Sequence, residues 1–384
     1  MGRRGAIAPS DTHVRSRLIV FFSVLSLTSC NSNPASTTVP AVSRIYHGAA
    51  SVGDFMTLTV NATDQTISYD DLSNNTRGTV PYTLNSGGTY TLKDPTGNLL
   101  AAYELPNYAL LLQAAKTGPN ADTPALVMAV DSAFISMSTF EEQSYNYIQF
   151  RTRAGGVEVG SVSIGTQGTG SITSFWPYAA YHQSNQGGTS FGTGTLDMSS
   201  AQLDPSGTFL KIPDPGNNGT YDYVFGTASG IFAVDTPNGA ILGFREAGGA
   251  VFDPTVAGAY KSIYYQKTKA STSSVNLENG TSAFGDATLL VSNAGVISMT
   301  DAHGTEIVRG RLSPVLGTSY LYKPDMTELQ DPCYGLFTFR IATPGVSQQD
   351  VFVTFIGQAM LFASFTENLV QQGSYSYFYG VALK

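Results

Sequence analysis

The chain has 384 residues, of which 42% are hydrophobic and only 12% charged, with a formal net charge of −8. An acidic chain without clustered Lys and Arg is not a general nucleic-acid binder, because phosphate neutralisation needs such clusters. Forty Gly, 21 Tyr and 21 Phe exclude coiled coil, collagen, disulfide scaffold and disordered chain, and point to strands with many turns.

Residues 1–17 carry Arg3, Arg4, Arg15 and Arg17, and an apolar run, Leu18 to Leu27, follows. That run is shorter than the roughly 20 apolar residues a spanning helix needs, so it reads as the core of a secretory signal. It ends in Leu27-Thr28-Ser29-Cys30. This tetrapeptide resembles the lipobox of bacterial lipoproteins, a Leu three residues before a Cys with small residues between. The resemblance covers about the first 30 residues. It implies cleavage before Cys30, lipid (palmitate) attachment at Cys30 and a chain tethered to a membrane. Asn31 after the Cys implies delivery to the outer membrane of a Gram-negative bacterium, on its periplasmic or its surface face. Removing residues 1–29 takes away four Arg and Asp11, leaving 16 basic and 27 acidic residues, a balance of −11. Residues 30–43 are polar and Pro-containing and read as a flexible tether. With Cys30 lipidated, Cys333 is left alone, so no intramolecular disulfide can form.

The rest of the chain repeats. Ser144 to Phe150, Ala259 to Tyr265 and Ser374 to Tyr379 look alike, and their tyrosines Tyr145, Tyr260 and Tyr375 are each 115 residues apart. Apolar stretches precede each, at Ala125 to Val130, Ala240 to Phe244 and Val351 to Ile356. Equal spacing with agreeing flanks implies a unit of about 115 residues used three times, over 44–154, 155–269 and 270–384. Alternation such as Val159 to Ile164 and turn clusters such as Asp94-Pro95-Thr96-Gly97 and Asp204-Pro205-Ser206-Gly207 give roughly eight short strands per unit. The predicted class is all-β and antiparallel, as three tandem sandwich- or barrel-like units; the alternative is one six-bladed propeller, with the strand at Tyr375 to Leu383 closing the ring beside Ile45-Tyr46. Helix formers from Tyr108 to Lys116, after Pro106, allow one short helix.

Candidate chemistry is sparse. Gly188-Thr189-Ser190-Phe191-Gly192 matches G-x-S-x-G, but no helix follows to expose the serine, and such a match arises by chance among 40 Gly. His47, His182 and His303 share no metal-ligand spacing. The Asp/Asn-rich loop from Asp214 to Asp222 lacks EF-hand spacing. The carboxylate pairs Asp70-Asp71 and Glu141-Glu142 point to opposite faces if they lie on strands, so neither makes a dyad alone. The aromatic run Phe175 to His182 holds the single Trp. Its Trp176, Tyr178 and Tyr181 are candidate ligand contacts, because aromatic faces stack on sugars and anchor protein interfaces.

No residue pattern calls for a cofactor. The sequence is read as a membrane-anchored lipoprotein serving as a non-catalytic binding module for a protein or carbohydrate. The alternatives are a cell-envelope hydrolase with dispersed acidic residues and a passive envelope-structural protein.

Overall fold

The computed structural model describes residues 43–86, 88–93, 97, 99–114, 125–131, 135–151, 156–177, 193–213, 221–236, 239–246, 251–270, 281–315, 334–341, 349–366 and 374–384. Within them the protein is all-β and antiparallel, in three successive sheets.

In unit 1, strands β1 (Ser43–Ala50), β2 (Asp54–Asn61), β3 (Thr66–Asp71), β4 (Thr76–Leu84), β5 (Thr89–Lys93), β6 (Leu99–Leu105), β7 (Ala109–Ala114) and β8 (Ala125–Val130) form a closed barrel. Unit 2 comprises β9 (Gln143–Arg151), β10 (Gly156–Ile164), β11 (Thr169–Pro177), β12 (Thr193–Asp197), β13 (Gln202–Leu203), β14 (Leu210–Pro213), β15 (Tyr221–Gly226), β16 (Ile231–Thr236) and β17 (Gly239–Arg245). Unit 3 comprises β18 (Gly258–Ala270), β19 (Thr281–Val291), β20 (Val296–Asp301), β21 (Glu306–Arg311), β22 (Ser313–Pro314), β23 (Leu336–Ile341), β24 (Gln349–Ile356), β25 (Ala359–Thr366) and β26 (Ser374–Leu383). Each unit is an up-and-down meander whose first strand pairs with its last: β1 with β8, β9 with β17, β18 with β26. The sheets of units 2 and 3 end at β12 and β13, and at β21 and β22.

Each closing pair contains a glycine. Gly48 faces Ala129, and a Cβ added there would lie 2.7 Å from the Ala129 Cβ. Gly243 faces Tyr147, and Gly380 faces Tyr264. A side chain at Gly380 would run into the Phe362 ring and the Tyr264 Cβ. At Gly48 and Gly380 the strands approach too closely for a side chain on both partners.

Alternation along the strands sorts residues into two kinds of core. Three clusters fill the unit interiors, including Tyr46 and Val127 in unit 1, Tyr145 and Phe232 in unit 2, and Tyr260 and Phe362 in unit 3. A fourth is shared by all three units. The last two strands and the first strand of each unit send alternate residues into it: Leu126, Met128 and Val130 of β8, Ala240, Leu242 and Phe244 of β17, and Tyr379, Val381 and Leu383 of β26. Hence β8 is buried along its whole length, which its unbroken apolar sequence requires.

Aromatic rings hold the units together. Phe55 of unit 1 stacks on Tyr223 of unit 2 at 4.5 Å, and Phe150 of unit 2 stacks on Tyr379 of unit 3 at 4.3 Å. Tyr108 of unit 1 donates to the Ile356 carbonyl of unit 3 at 2.9 Å.

The tandem barrel-like reading therefore stands and the propeller does not, because each unit is one continuous sheet of eight or nine strands, closed in unit 1, whose first strand pairs with its last. Two details differ from the sequence reading. Tyr145 and Tyr260 lie on opening strands, but Tyr375 lies on β26, the closing strand of unit 3. The opening-strand counterpart in unit 1 is Tyr46, buried like Tyr145 and Tyr260. Sheets accordingly begin at Gln143 and Gly258, ahead of the repeat edges drawn at 155 and 270. The helix allowed after Pro106 is instead strand β7, because pairing with β6 and β8 and burial on both faces outweigh local propensity.

One charge is enclosed in the unit 1 barrel. Glu104 receives Arg44 in a fork, Nε to Oε1 and Nη2 to Oε2, both at 2.6 Å. It also accepts from Tyr46 at 2.6 Å and from Tyr90. Burial raises the cost of the carboxylate, but these hydrogen bonds outweigh it and hold the Glu104 pKa below its ordinary value. Glu104→Ala strands Arg44 and both phenols, and should cost about 3–5 kcal/mol in urea unfolding, with Glu104→Gln costing less. A loss under about 1 kcal/mol for the alanine variant would mean that the network adds nothing to stability.

Candidate functional site

The central cluster does not fill the whole space between units 1 and 3. Between β5–β6 on one side and β18–β19 on the other lies a cleft of ≈ 670 Å³. Its floor is the rim of the shared core: Ala101 and Tyr103 from unit 1, Ile263 and Phe284 from unit 3. Phe284 sits edge-on to Tyr265 at 5.7 Å. Burial pushes the Tyr103 phenol pKa up. The period of two places Ala101 and Tyr103 on the outward face of β6, while Ala102 and Glu104 point into the barrel.

The walls are polar. The Asn85 amide donates to Thr91 at 2.9 Å and to Thr89 at 3.3 Å. Across the cleft, the Lys261 ammonium donates to the Thr288 hydroxyl at 3.2 Å. The Gln113 side-chain oxygen accepts from the Ala101 backbone at 3.0 Å, and Ser262 donates to the Ala287 carbonyl at 3.1 Å. Two carboxylates reach the rim. Asp286 is exposed, and Asp301 accepts from the His303 and Thr305 backbones at 2.9 and 2.8 Å. Leu99 stands 71% exposed at the edge.

The cleft thus combines an aromatic and aliphatic floor with hydroxyls, amides, one cation and two carboxylates. Its hydroxyls bond to a backbone carbonyl (Ser262), an amide (Thr89, Thr91) and an ammonium (Thr288), a lining of mixed polarity that suits binding. A shallower hollow of ≈ 420 Å³ lies on β2–β4, lined by threonines, Tyr69, Asp70 and Arg77.

The sequence-derived candidates are scattered. Trp176 lies near the end of β11, opposite Val159 of β10. Tyr178, Tyr181, Cys30, Ser190, His182 and Cys333 lie outside the described residues. His303 occupies an exposed turn. His47 is buried between units 1 and 2, its Nε2 3.1 Å from the Thr208 hydroxyl and its ring against Phe55 and Phe209. Burial lowers its pKa to about 4. Among the described residues, no His, Cys, Asp and Glu group is placed to hold a metal ion, and no helix is long and apolar enough to cross a membrane.

The adjacent acids Asp70 and Asp71 do point apart, Asp71 being 1% exposed and Asp70 half-buried at the hollow on β2–β4. What the sequence reading missed is the company Asp71 keeps. Asp54, Asp71 and Asp235 converge, all buried, where unit 1 meets unit 2. The available signal was an acid closing an apolar strand, Ile231-Phe232-Ala233-Val234-Asp235. These carboxylates are enclosed by packing, so they do not form a substrate-accessible acid/base pair.

No protein-family model and no curated protein sequence matches the chain. Among solved structures it is similar to a double mutant of transferrin binding protein B from Haemophilus parasuis, with 8% identity, 89% of this chain and 76% of that chain covered, and a TM-score of 0.29. It is similar also to isotype 1 transferrin binding protein B from serogroup B Neisseria meningitidis, with 14% identity, 86% and 66% coverage, and a TM-score of 0.28. A protein of unknown function from Nostoc punctiforme matches over 89% of this chain and 94% of its own, at 7% identity and a TM-score of 0.17. Scores of this size do not establish a shared fold.

Proposed function

We propose that the chain is a lipoprotein, anchored through Cys30 to the outer membrane of a Gram-negative bacterium, whose β-barrel units present a non-catalytic binding cleft. The observation that carries this reading is the cleft between units 1 and 3, where an apolar floor meets a wall of short hydroxyls, amides and carboxylates. Such a lining satisfies a hydroxyl-rich ligand on several sides at once, so a carbohydrate is favoured over a protein. The hydrolase reading would have to use Asp286 and Asp301 at the cleft rim, of which Asp301 is engaged by the His303 and Thr305 backbones. Trp176, Tyr178 and Tyr181 are proposed as a second ligand contact.

An array of immobilised oligosaccharides tests the cleft. The mature protein should bind a subset of glycans, and the Tyr103→Ala/Asp286→Ala pair should weaken that binding at least tenfold. Asp286→Ala alone should leave the melting temperature nearly unchanged, since it removes an exposed group. Binding to no glycan, together with a specific protein cross-linked through the cleft, would move the reading to a protein ligand. Neither result would leave the passive structural role.

The anchor has its own test. Cells fed a labelled palmitate should label the wild-type protein, and Cys30→Ser should lose the label and leave the membrane fraction. Label retained in that variant would remove the lipobox reading.

For the aromatic run, Trp176→Ala with Tyr178→Ala should abolish ligand binding with little change in thermal stability. A large drop in melting temperature would assign these residues to packing instead.

A further inference from the structure

The three buried carboxylates sit on both sides of one seam. From unit 1 come Asp54 at the start of β2 and Asp71 at the end of β3; from unit 2 comes Asp235 on β16. They are 3%, 1% and 3% exposed. A polar relay joins them. The Asn74 amide donates to Asp54 at 2.8 Å and to Asp71 at 2.9 Å, and its backbone donates to Asp71 at 3.1 Å. Ser73, one residue before, accepts from the Phe55 backbone at 2.9 Å and donates across the seam to Asp235 Oδ2 at 3.4 Å. Asp235 Oδ1 is buried with no hydrogen-bond partner.

The charged groups that act on Asp235 are acids: Asp54 and Asp71 from β2 and β3, and Asp222 from β15. Tyr69 of β3 lies close enough to Asp71 to feel its charge. On the same seam His47 of β1 packs against Phe55, and the charge acting on it is that of Asp204. Three carboxylates buried in one seam cannot all be ionised without a counter-charge, because burial strips each ion of bulk solvation and like charges repel.

We propose that the Asp54–Asp71–Asp235 cluster is a proton-dependent clamp: bound protons let unit 1 pack on unit 2, and losing them opens the seam. Burial first, and then the neighbouring Asp54, push the Asp71 pKa up to about 7; burial and the three acids raise Asp235 well above the carboxylate range. For groups raised in this way the folded state holds more protons than the unfolded state. Their stabilisation is full below the ordinary value of 3.8 and is lost as pH rises, through about 7 for Asp71 and beyond for Asp235. His47 has the opposite sign. Its pKa is lowered, so it costs stability as pH falls from 6.5 towards about 4. Above about pH 6.5 His47 is neutral in both states, and only the acids give a slope. The clamp acts on the unit 1–unit 2 seam and does not depend on what the cleft between units 1 and 3 binds.

Hydrogen exchange of the mature chain at pH 6 to 9, corrected for intrinsic rates, tests it. Peptides covering Asp54–Asn61 and Ile231–Thr236 should lose protection about tenfold or more across that range, while peptides of β24–β25 in unit 3 should not. Asp235→Asn keeps the shape of the protonated acid and should flatten the pH dependence at the seam. Asp71→Asn should flatten it in part and serves as the second variant should the substitution at Asp235 disturb packing. Parallel loss of protection in wild type and both variants, or no pH dependence in wild type, would overturn the proposal.

Discussion

A strand that is apolar on both faces cannot leave either face in water, and the closing strands β8 and β17, with the Gly380–Leu383 end of β26, are of this kind. One face closes the unit's own interior; the other must find a partner outside the sheet. The three units solve this together by turning those faces towards one another. The shared cluster holds 30 described buried residues, against 16, 16 and 12 in the three interiors. A unit cut free would return Leu126, Met128 and Val130, or their counterparts, to solvent at about 1.5–3 kcal/mol for each large side chain. The shared core therefore couples the stability of each unit to the presence of the other two.

That constraint also decides where polar groups end up. Convex barrel-like units packed on one shared core leave their seams unequally filled. Between units 1 and 2 the seam is closed by Phe55, Phe209, Tyr223 and Phe225, and the polar groups caught there, His47 and the three aspartates, are desolvated. Between units 1 and 3 the seam gapes into the cleft, where Lys261 and Asp286 are exposed and Gln113 and Ser262 are buried but hydrogen-bonded. Convergence of carboxylates at one seam and of hydroxyls at the other are two outcomes of the same packing problem. In such a molecule acid clustering alone does not mark a catalytic centre; access does.

The class, the strand count and the threefold use of a unit were legible because they are written in period-two alternation, turn chemistry and recurring apolar runs. The phase of the repeat was not. Ser374 to Tyr379 resembles the opening strands because closing and opening strands pair with each other and meet the same demand, one face in a barrel and one in the shared core. Similar burial selects similar residues at inequivalent positions, so Tyr375 matched where Tyr46 was the true counterpart. The segment from Tyr108 showed the reverse: Leu110, Leu111 and Leu112 are good helix formers, yet β6 and β8 claim their backbone. The cleft was invisible for a different reason. Its walls come from the first and the last unit, and no local motif is needed when each side chain only has to offer a hydroxyl or an amide.

The buried acids show what a sequence can signal without explaining. An Asp closing Ile231 to Val234 breaks the rule that charges are not fully buried. Three readings of such a break are open in principle: an ion pair, a metal site or a neutral acid. The ion-pair reading describes Glu104, where Arg44 arrives in a fork and the carboxylate stays ionised. It does not describe Asp235, whose charged neighbours are all acids. No described group is placed to hold a metal ion there. What is left is an acid kept neutral by its surroundings, which is cheap to bury only while the proton stays. Two kinds of buried carboxylate in one framework therefore carry opposite pH signs. The contribution of Glu104 is complete once the pH stands above its ordinary value of 4.5, whereas Asp71 and Asp235 go on losing theirs as the pH climbs further. The unit 1 barrel stays firm while its attachment to unit 2 loosens, so pH selects between a closed assembly and one hinged at that seam.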